Sequence, residues 1–268
     1  MILITKTFEV LRWHSYWPFL DTTIEMLDHS SPSPICPQPS VDTLATSAWV
    51  VARSRERIPF LPNSQRSRPS LSTAKHQDHY NHDLLFSATL FSREAIPAVL
   101  GFHDSPDFDR VEAASRRDPS ARGDMYLVRS ASVVYSLGIG MQGYHGVLHG
   151  GMFSVLIDES VGSYLALNRD VSDRVAAGGY KDELGAVKDL SRLAGFWNGT
   201  TALTVAMVVR FIEAIPLPSI VLVSSSLVKI EGRKLVIESV VETEMGGKHA
   251  TCESTWVLVQ PGLKNSKL

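Results

Sequence analysis

Hydrophobic and polar residues alternate along the last third of the chain. Four runs rich in β-branched residues cover 201–212, 219–230, 233–244 and 249–260, with turn signals at Glu231-Gly232 and Gly246-Gly247. Within the third run, Leu235 and Ile237 alternate with Val236 and Glu238, so one face is wetter than the other. This pattern predicts consecutive antiparallel strands with one solvated side.

The preceding stretch, from Gly143 to Asn168, has the pattern of a buried helix that follows a short strand and a tight corner. Apolar residues occur almost all round the predicted helix of about 15 residues: Met152, Phe153, Val155, Leu156, Ile157, Val161, Tyr164, Leu165 and Leu167. Asp158 and Glu159 lie in its middle, and a buried carboxylate is costly unless it has a partner. One long buried helix followed by hairpins predicts an α+β fold.

Earlier segments give weaker signals. Residues 84–102 suggest an amphipathic helix broken near Pro97, 110–122 a loop or frayed helix, and 124–137 the first strand. Residues 169–198 form a polar insertion with a helical segment at 181–196, which we expect to fold over the mouth of a pocket.

The first 82 residues differ in composition from the rest, with prolines crowded at 32–39 and arginines at 53–68. We expect a low-complexity, disordered extension over 1–82, a folded domain over 83–260 and a flexible tail over 261–268. Three histidines spaced by three, His76, His79 and His82, would drift along one side of a helix. Because no further ligand cluster accompanies them, we expect a polar surface segment rather than a metal site.

The composition of the chain argues against several classes of protein. The 268 residues carry a net charge of −2, which implies no broad nucleic-acid surface. Cys36 and Cys252 lie in different contexts and indicate no disulfide framework, so a reducing compartment fits. No apolar run approaches the ~20 residues of a membrane span, and the first residues lack the pattern of a signal peptide.

The His149-Gly150-Gly151 corner is the main candidate for chemistry. Glycines leave N–H groups unshielded, and at a helix start those groups have no intrahelical partner, so the corner suits an oxyanion. Asp158 follows Gly151 by seven residues, or roughly 10 Å along a helix. One subunit therefore cannot easily place both on one carbonyl, whereas two antiparallel copies can. Ser154, Asp158 and Gly162 would form a thin polar stripe facing that partner.

These residues resemble the hotdog-fold acyl-thioesterases. The match runs through Gly143, Gly146, His149, Gly150, Gly151, Asp158 and Glu159 within 84–260, and it is most similar to the fungal-type, 4-hydroxybenzoyl-CoA thioesterase-like branch. The resemblance implies an antiparallel sheet wrapped around one long helix, with the site at a dimer interface. Tyr144-His145 and Ala214 depart from positions where relatives often carry proline, which puts substrate detail in question.

The resemblance also implies the site residues. The Gly150 N–H would polarise the thioester carbonyl, Asp158 would be nucleophile or general base, His149 would support the corner, and Thr204 would orient Asp158 or the attacking water. Gly143, Gly151 and Ser154 are the expected substrate-binding residues. No metal or redox cofactor is implied.

The same residues also have purely structural interpretations. The glycines can be turn residues, Asp158 a loop cap and Thr204 a residue chosen for a strand. Glu159 points about 100° away from Asp158, so we expect it to be a structural partner. The G-x-G-x-x-G at Gly138, Gly140 and Gly143 suggests a dinucleotide site, but no βαβ units follow it, and we reject that interpretation.

We therefore expect an acyl-CoA thioesterase that is a homodimer or dimer of dimers. The alternatives are a hotdog acyl-CoA hydratase or dehydratase, whose usual Gly-Asp-x-Asn-Pro-x-His stretch is absent, and a non-catalytic acyl-CoA-binding module. The final Ser266-Lys267-Leu268 matches the signal read by the peroxisomal import receptor, so we expect a peroxisomal protein, or otherwise a cytoplasmic one. Because peroxisomes handle acyl-CoA esters, the tail and the corner support each other.

Overall fold

The fold comes from a computed structural model, which describes residues 47–55, 57–60, 85–117, 126–176 and 200–259 together with Leu44 and Pro62. Three features expected from the sequence lie outside these residues: the histidines at 76, 79 and 82, the helical segment 181–196 and the tail 261–268.

Helices and strands occur in the following order. The helices are α1 (Ala48–Ser54), α2 (Phe108–Arg117) and α3 (Gly150–Ala176), and the strands are β1 (Ile58–Phe60), β2 (Ala98–His103), β3 (Ser130–Leu137), β4 (Gln142–Tyr144), β5 (Val147–Leu148), β6 (Thr201–Phe211), β7 (Ser219–Glu231), β8 (Lys234–Thr243) and β9 (Lys248–Val259). A π-helical turn covers Leu85–Leu90 and a 3₁₀ turn covers Ile139–Met141.

Seven strands form one antiparallel sheet in the order β1-β2-β3-β7-β8-β9-β6, and β4 pairs with β5 in a separate hairpin. The four C-terminal strands were predicted to within one or two residues, including the turn at Gly232, whose φ is +62°. In β8, Leu235, Ile237 and Val241 are buried and Glu238 is exposed, as the alternation predicted, whereas Val236 on the predicted wetter face is also buried.

Helix α3 lies against the inner face of the sheet. Leu156, Ile157, Val161 and Tyr164 are fully buried there, so the predicted sheet-wrapped helix and the α+β class are confirmed. The helix has 27 residues rather than about 15. The expectation was wrong because the polar residues from Arg169 onward were assigned to an insertion, whereas the helix continues through them to Ala176.

Asn168 is buried on the helix. Its side-chain amide accepts the Val128 N–H and donates to the Val128 carbonyl, which satisfies both of its polar ends. Since a satisfied amide can stay inside a core, the helix continues past it.

Two predictions before β3 were wrong. Residues after Pro97 form strand β2 rather than the end of a helix, because a short apolar run fits either state and the sheet offers it a place beside β3. The segment 124–137 is not the first strand, and its ladder begins only at Ser130. Residues 126–129 are instead held by α3, where the Tyr164 hydroxyl donates to the carbonyls of Val128 and Arg129.

Part of the N-terminal extension is folded, contrary to expectation. Strand β1 pairs with β2, and α1 lies on the outer face of the sheet, where Leu44 and Val50 pack with Phe102, Val134 and Leu222. The composition of 1–82 hid this short amphipathic stretch among prolines and arginines. The division of the chain at 82, 83–260 and 261–268 stays a prediction.

Candidate functional site

The His-Gly-Gly corner follows the β4–β5 hairpin. Residues 212–217 hold this hairpin by two backbone hydrogen bonds. The Leu148 N–H donates to the Ile215 carbonyl at 2.9 Å, and the Leu217 N–H donates to the Gly146 carbonyl at 2.8 Å. Gly146 has a φ of +69°, a value that favours glycine, and so permits the tight hairpin turn. The corner is therefore attached to the edge of the main fold.

His149 packs against the two glycines that flank the corner, at Gly143 and Gly151. Its ring lies close to Gly143 and Gly151, where an added Cβ would come within 2.9 Å and 3.1 Å of ring atoms. The Gly151 N–H donates to His149 Nδ1 at 3.0 Å. Nδ1 must therefore be unprotonated, and the ring caps the helix start.

The backbone N–H of Gly150 is the other hydrogen-bond donor of the corner, beside the Gly151 N–H that bonds to His149. Gly150 is exposed, and no described residue accepts a hydrogen bond from its N–H. An added Cβ at Gly150 would meet no atom within 4 Å, so the space in front of this backbone is open. The Gly150 N–H can therefore donate to an oxyanion, whereas Gly143 and Gly151 leave the space in which the His149 ring packs.

Asp158 is half-exposed on α3 and is held from strand β6. The Thr204 hydroxyl donates to Asp158 Oδ1 at 2.6 Å. Thr204 faces the helix because it pairs with Trp256, an inner-face residue of β9, and a bulge follows it between Thr204 and Ala206. Bulges re-aim side chains and are common beside functional sites.

Gly150 and Asp158 do not meet within one chain. They lie eight residues, or about 12 Å, apart along α3. Ser154 lies between them, and Ser154, Asp158 and Gly162 are all half-exposed, so the predicted stripe does run along one side of the helix. The site is open toward the edge strand β6.

Glu159 points into the protein, away from this stripe. It is 7% exposed, and the Ser163 hydroxyl donates to its Oε1 at 3.3 Å. Burial raises the pKa of Tyr135 well above its ordinary value, and the nearby negative charge of Glu159 raises it further. This placement agrees with a structural role for Glu159.

The glycines at 138 and 140 have a packing role. A Cβ on Gly138 would come within 2.2 Å of the Glu94 carbonyl oxygen, and one on Gly140 within 2.9 Å. The backbone N–H groups of both residues donate to the 94–95 segment. The G-x-G spacing therefore serves close contact between two chain segments.

Sequence reasoning missed three residues near the site. Phe153 and Phe211 form an edge-to-face pair at 5.3 Å between α3 and the end of β6. His249 is buried and reaches residue 214 below the corner. Only the three-dimensional pairing of strands brings these positions together, so no local motif marks them.

The described residues hold neither a candidate metal site nor a helix that could span a membrane. No group of three or more His, Cys, Asp or Glu side chains there is arranged to hold a metal ion. No described helix combines the length and the hydropathy needed to cross a bilayer.

Comparison with known proteins supports the same family. Residues 145–250 match the family model described as the thioesterase superfamily. Verlamelin biosynthesis protein B from a Lecanicillium species is 26% identical over 185 residues, which cover 66% of this chain and 73% of that protein.

Solved structures give weaker similarities. A crystal structure of a thioesterase superfamily protein is 20% identical with a TM-score of 0.33 and covers 48% of this chain, which spans only 51% of that one. A thioesterase protein from Streptococcus pneumoniae, solved with coenzyme A, is 14% identical with a TM-score of 0.35, covering 49% of this chain and 82% of that one.

The family match begins in the hairpin before the His-Gly-Gly corner and ends in β9, so it includes α3, Asp158 and Thr204. The fungal-type branch stays a prediction. Residues 145–250 of this chain thus match the thioesterase superfamily, and the chain has the hotdog fold, an antiparallel sheet around one long helix.

Proposed function

We propose that the protein is an acyl-CoA thioesterase, which cleaves an acyl-CoA and water into a free acid and CoA. The main observation behind this proposal is that two polar groups lie along the same exposed side of α3. They are a backbone N–H at Gly150 with no described acceptor and the Asp158 carboxylate, which accepts a hydrogen bond from Thr204. The match of residues 145–250 to the thioesterase superfamily supports thioester hydrolysis, while the choice of CoA rests on the resemblance.

Each group has a role that follows from its geometry. The Gly150 N–H, at the positive end of α3, would bind the thioester oxygen more tightly as it becomes negative. Thr204 donates to Asp158 Oδ1 and so fixes the orientation of the carboxylate, which would take a proton from water or attack the carbonyl carbon. With Asp158 as base, the water oxygen bonds to the carbonyl carbon, the C–S bond breaks, and the leaving thiolate takes up the proton. With Asp158 as nucleophile, the C–S bond breaks as a mixed anhydride forms, the thiolate takes a proton from water, and a water molecule then hydrolyses the anhydride to the free acid and restores the carboxylate.

The active form in this proposal is at least a homodimer. Strand β6 is an edge of the described sheet, and Leu203, Val205, Val208 and Phe211 on it are 42–47% exposed. A long apolar edge strand is a template for pairing with another chain. Two-fold pairing there would bring the Asp158 of one chain toward the partner's corner and complete two sites.

Mixing two inactive variants tests this arrangement. Asp158→Ala removes the carboxylate, and Gly150→Pro removes the N–H at a helix position that tolerates proline. Each homodimer should be inactive, but a mixed dimer keeps one intact site, so reassembled mixtures should regain about a quarter of wild-type CoA release. Gly150→Ala is the matched control and should stay active, because its N–H is kept and its Cβ has room.

Other results would exclude parts of the proposal. Dimers that regain no activity on mixing would show that the two groups do not act across chains, and an active Asp158→Ala homodimer would remove Asp158 from its role. An assay across acyl chain lengths separates the rival functions. Addition of water to an enoyl-CoA would favour a hydratase, and binding without CoA release a non-catalytic module.

We also propose peroxisomal delivery through Ser266-Lys267-Leu268, provided these residues end the mature protein. A fluorescently tagged full chain should co-localise with peroxisomes, and the same chain without the last three residues should stay in the cytoplasm. Equal distribution of the two would contradict the proposal.

A further inference from the structure

Residues 212–217, which we name the corner strap, connect β6 to β7 and are hydrogen-bonded to the β4–β5 hairpin that precedes the corner. Besides the two hydrogen bonds described above, Val147 and Pro216 form an isolated antiparallel bridge. Ile215 is fully buried in the main core, so the strap is anchored at its centre. Any shift of the strap would move Leu148, and Gly150 lies only two residues further on.

His249 fixes the other end of the strap by three hydrogen bonds. Its backbone carbonyl accepts the N–H groups of Ile212 and Glu213 at 2.9 Å and 3.2 Å. Its Nδ1 lies 3.1 Å from the Ala214 carbonyl oxygen, and its Nε2 lies 3.0 Å from the Thr243 hydroxyl. Since a carbonyl only accepts, Nδ1 carries the proton and donates.

A bulge explains why His249 reaches the strap. In the β8–β9 ladder Val241 pairs with Ala250 and Glu242 pairs with Lys248, so His249 is the extra residue. The turn before it runs through Gly246 and Gly247, with φ of +85° and +91°, and places Thr243 opposite His249. A bulge re-aims the extra residue's side chain, here sideways into the space between β8 and the strap.

We propose that His249 is a positioning residue for the Gly150 N–H. This inference rests on the proposed function and adds a residue on β9 that acts through the strap without contacting substrate. His249 holds Ala214, the strap holds Leu148, and the backbone then leads directly into His149 and Gly150. An oxyanion donor is effective only when it is fixed at the right distance, so loosening the strap should weaken binding of the transition state more than binding of the substrate.

The test uses three variants in the full chain. His249→Phe keeps a ring of similar size but has no donor, and His249→Asn keeps a short amide that can donate to the Ala214 carbonyl. Ile237→Val, a small core lesion on β8 away from the strap, is the control for general destabilisation.

Amide hydrogen exchange and steady-state kinetics are the two measurements. In His249→Phe the Leu148 and Leu217 amides should exchange at least about tenfold faster, while amides in the middle of α3 keep their protection. For the hydrolysis of an acyl-CoA, kcat should fall about tenfold with KM changed by less than about twofold. His249→Asn should recover part of both effects, and Ile237→Val should show neither.

The outcomes separate this inference from the proposed function. Unchanged exchange at Leu148 in His249→Phe would overturn the inference, and so would faster exchange with unchanged kcat. If the wild-type protein hydrolyses no acyl thioester, the proposed function fails, whereas the exchange data still decide whether His249 controls the corner.

Discussion

The two edges of the sheet are built in opposite ways. At one edge β1 has three residues with Pro59 at its centre, and proline cannot donate a hydrogen bond to a further strand. At the other edge β6 has eleven residues with exposed apolar side chains on both of its faces. Short, proline-containing edges resist association, whereas long apolar edges invite it.

The β1 edge is also fastened by a polar network. Arg57, just before β1, pairs with Asp104 at 2.9 Å and donates to the hydroxyls of Ser132 and Ser130 at 2.9 Å and 3.3 Å. Its guanidinium lies 4.7 Å from the centre of the Phe102 ring. Among the described residues, the β6 edge is joined to α3 by the hydrogen bond from the Thr204 hydroxyl to Asp158.

Within the part of the chain that the structure describes, one edge of the sheet is thus closed and the other is left open. Only the open side carries the candidate catalytic groups, which fits a site that a second copy completes. A chain with two open edges would extend into open assemblies, whereas one open edge gives a closed pair.

The largest expected effect comes from placing a lysine on each edge in turn. Val208 on β6 and Ile58 on β1 are 42% and 41% exposed, so Val208→Lys and Ile58→Lys are matched in environment. Val208→Lys should dissociate the pair and lower CoA release about 100-fold at nanomolar chain concentration, with recovery as concentration rises. Ile58→Lys should leave mass and activity unchanged.

Sedimentation velocity and a CoA-release assay on the same samples measure both properties. A monomer that keeps full activity would break the link between the open edge and the site. Loss of association in Ile58→Lys instead would assign the interface to the wrong edge.

A smaller effect is expected from the network at the β1 edge. Arg57→Met removes the ion pair and both hydrogen bonds from a mostly buried guanidinium, and should lower the free energy of unfolding by about 1–3 kcal/mol. Arg53, whose ion pair with Glu242 is more exposed, is the control, and Arg53→Met should cost about 0–1 kcal/mol. Urea unfolding measures both.

Neither arginine variant should change the sedimentation coefficient, because the β1 edge is not the proposed interface. If Arg57→Met proves no more costly than Arg53→Met, then the polar network adds nothing measurable to the apolar contacts and the β1–β2 pairing that hold α1 and β1.

The sequence predicted the β6 side of the molecule far better than the β1 side. Strands β6–β9 have clear alternation and turn residues, and Asp158 was marked by its position inside an apolar helix. Thr204 was found only through the resemblance. By contrast β1 and α1 lie in a proline- and arginine-rich context, and a three-residue strand has too few positions to show a period.

The remaining misses have the same physical origin. Whether residues 98–103 become strand or helix depends on the neighbouring β3, and the role of His249 depends on a bulge and on the strap. Such features are decided by contacts between distant segments, which a local pattern does not contain. The corner and its acid were predictable because their chemistry is concentrated in one contiguous stretch.

The smallest expected effects concern pH, and they distinguish the two sides of the sheet. On the β1 side, burial lowers the pKa of His103, which the Asp104 carbonyl partly offsets. On the β6 side, burial and, to a smaller extent, the charge of Asp158 together raise the pKa of Cys252 to about 12. His103 in the folded protein therefore binds a proton less readily than in the unfolded chain, and Cys252 keeps its proton more firmly.

The signs of the two contributions to stability follow from linkage. Below about pH 6.5 the unfolded chain protonates His103 before the folded chain does, so stability falls as pH falls. Above about pH 8.5 the unfolded chain loses the Cys252 proton first, so stability falls as pH rises toward 12. His103→Gln should flatten only the acid limb of the curve of unfolding free energy against pH, and Cys252→Ala only the alkaline limb. The cost of the vacated volume does not depend on pH, so it does not change the slopes.

Asp158→Asn should flatten the alkaline limb in part, because the charge that raises the Cys252 pKa is gone. Parallel alkaline curves for Asp158→Asn and wild type would mean that the Asp158 carboxylate does not lie over β9, and the placement of the acid on the open side of the sheet would then be wrong.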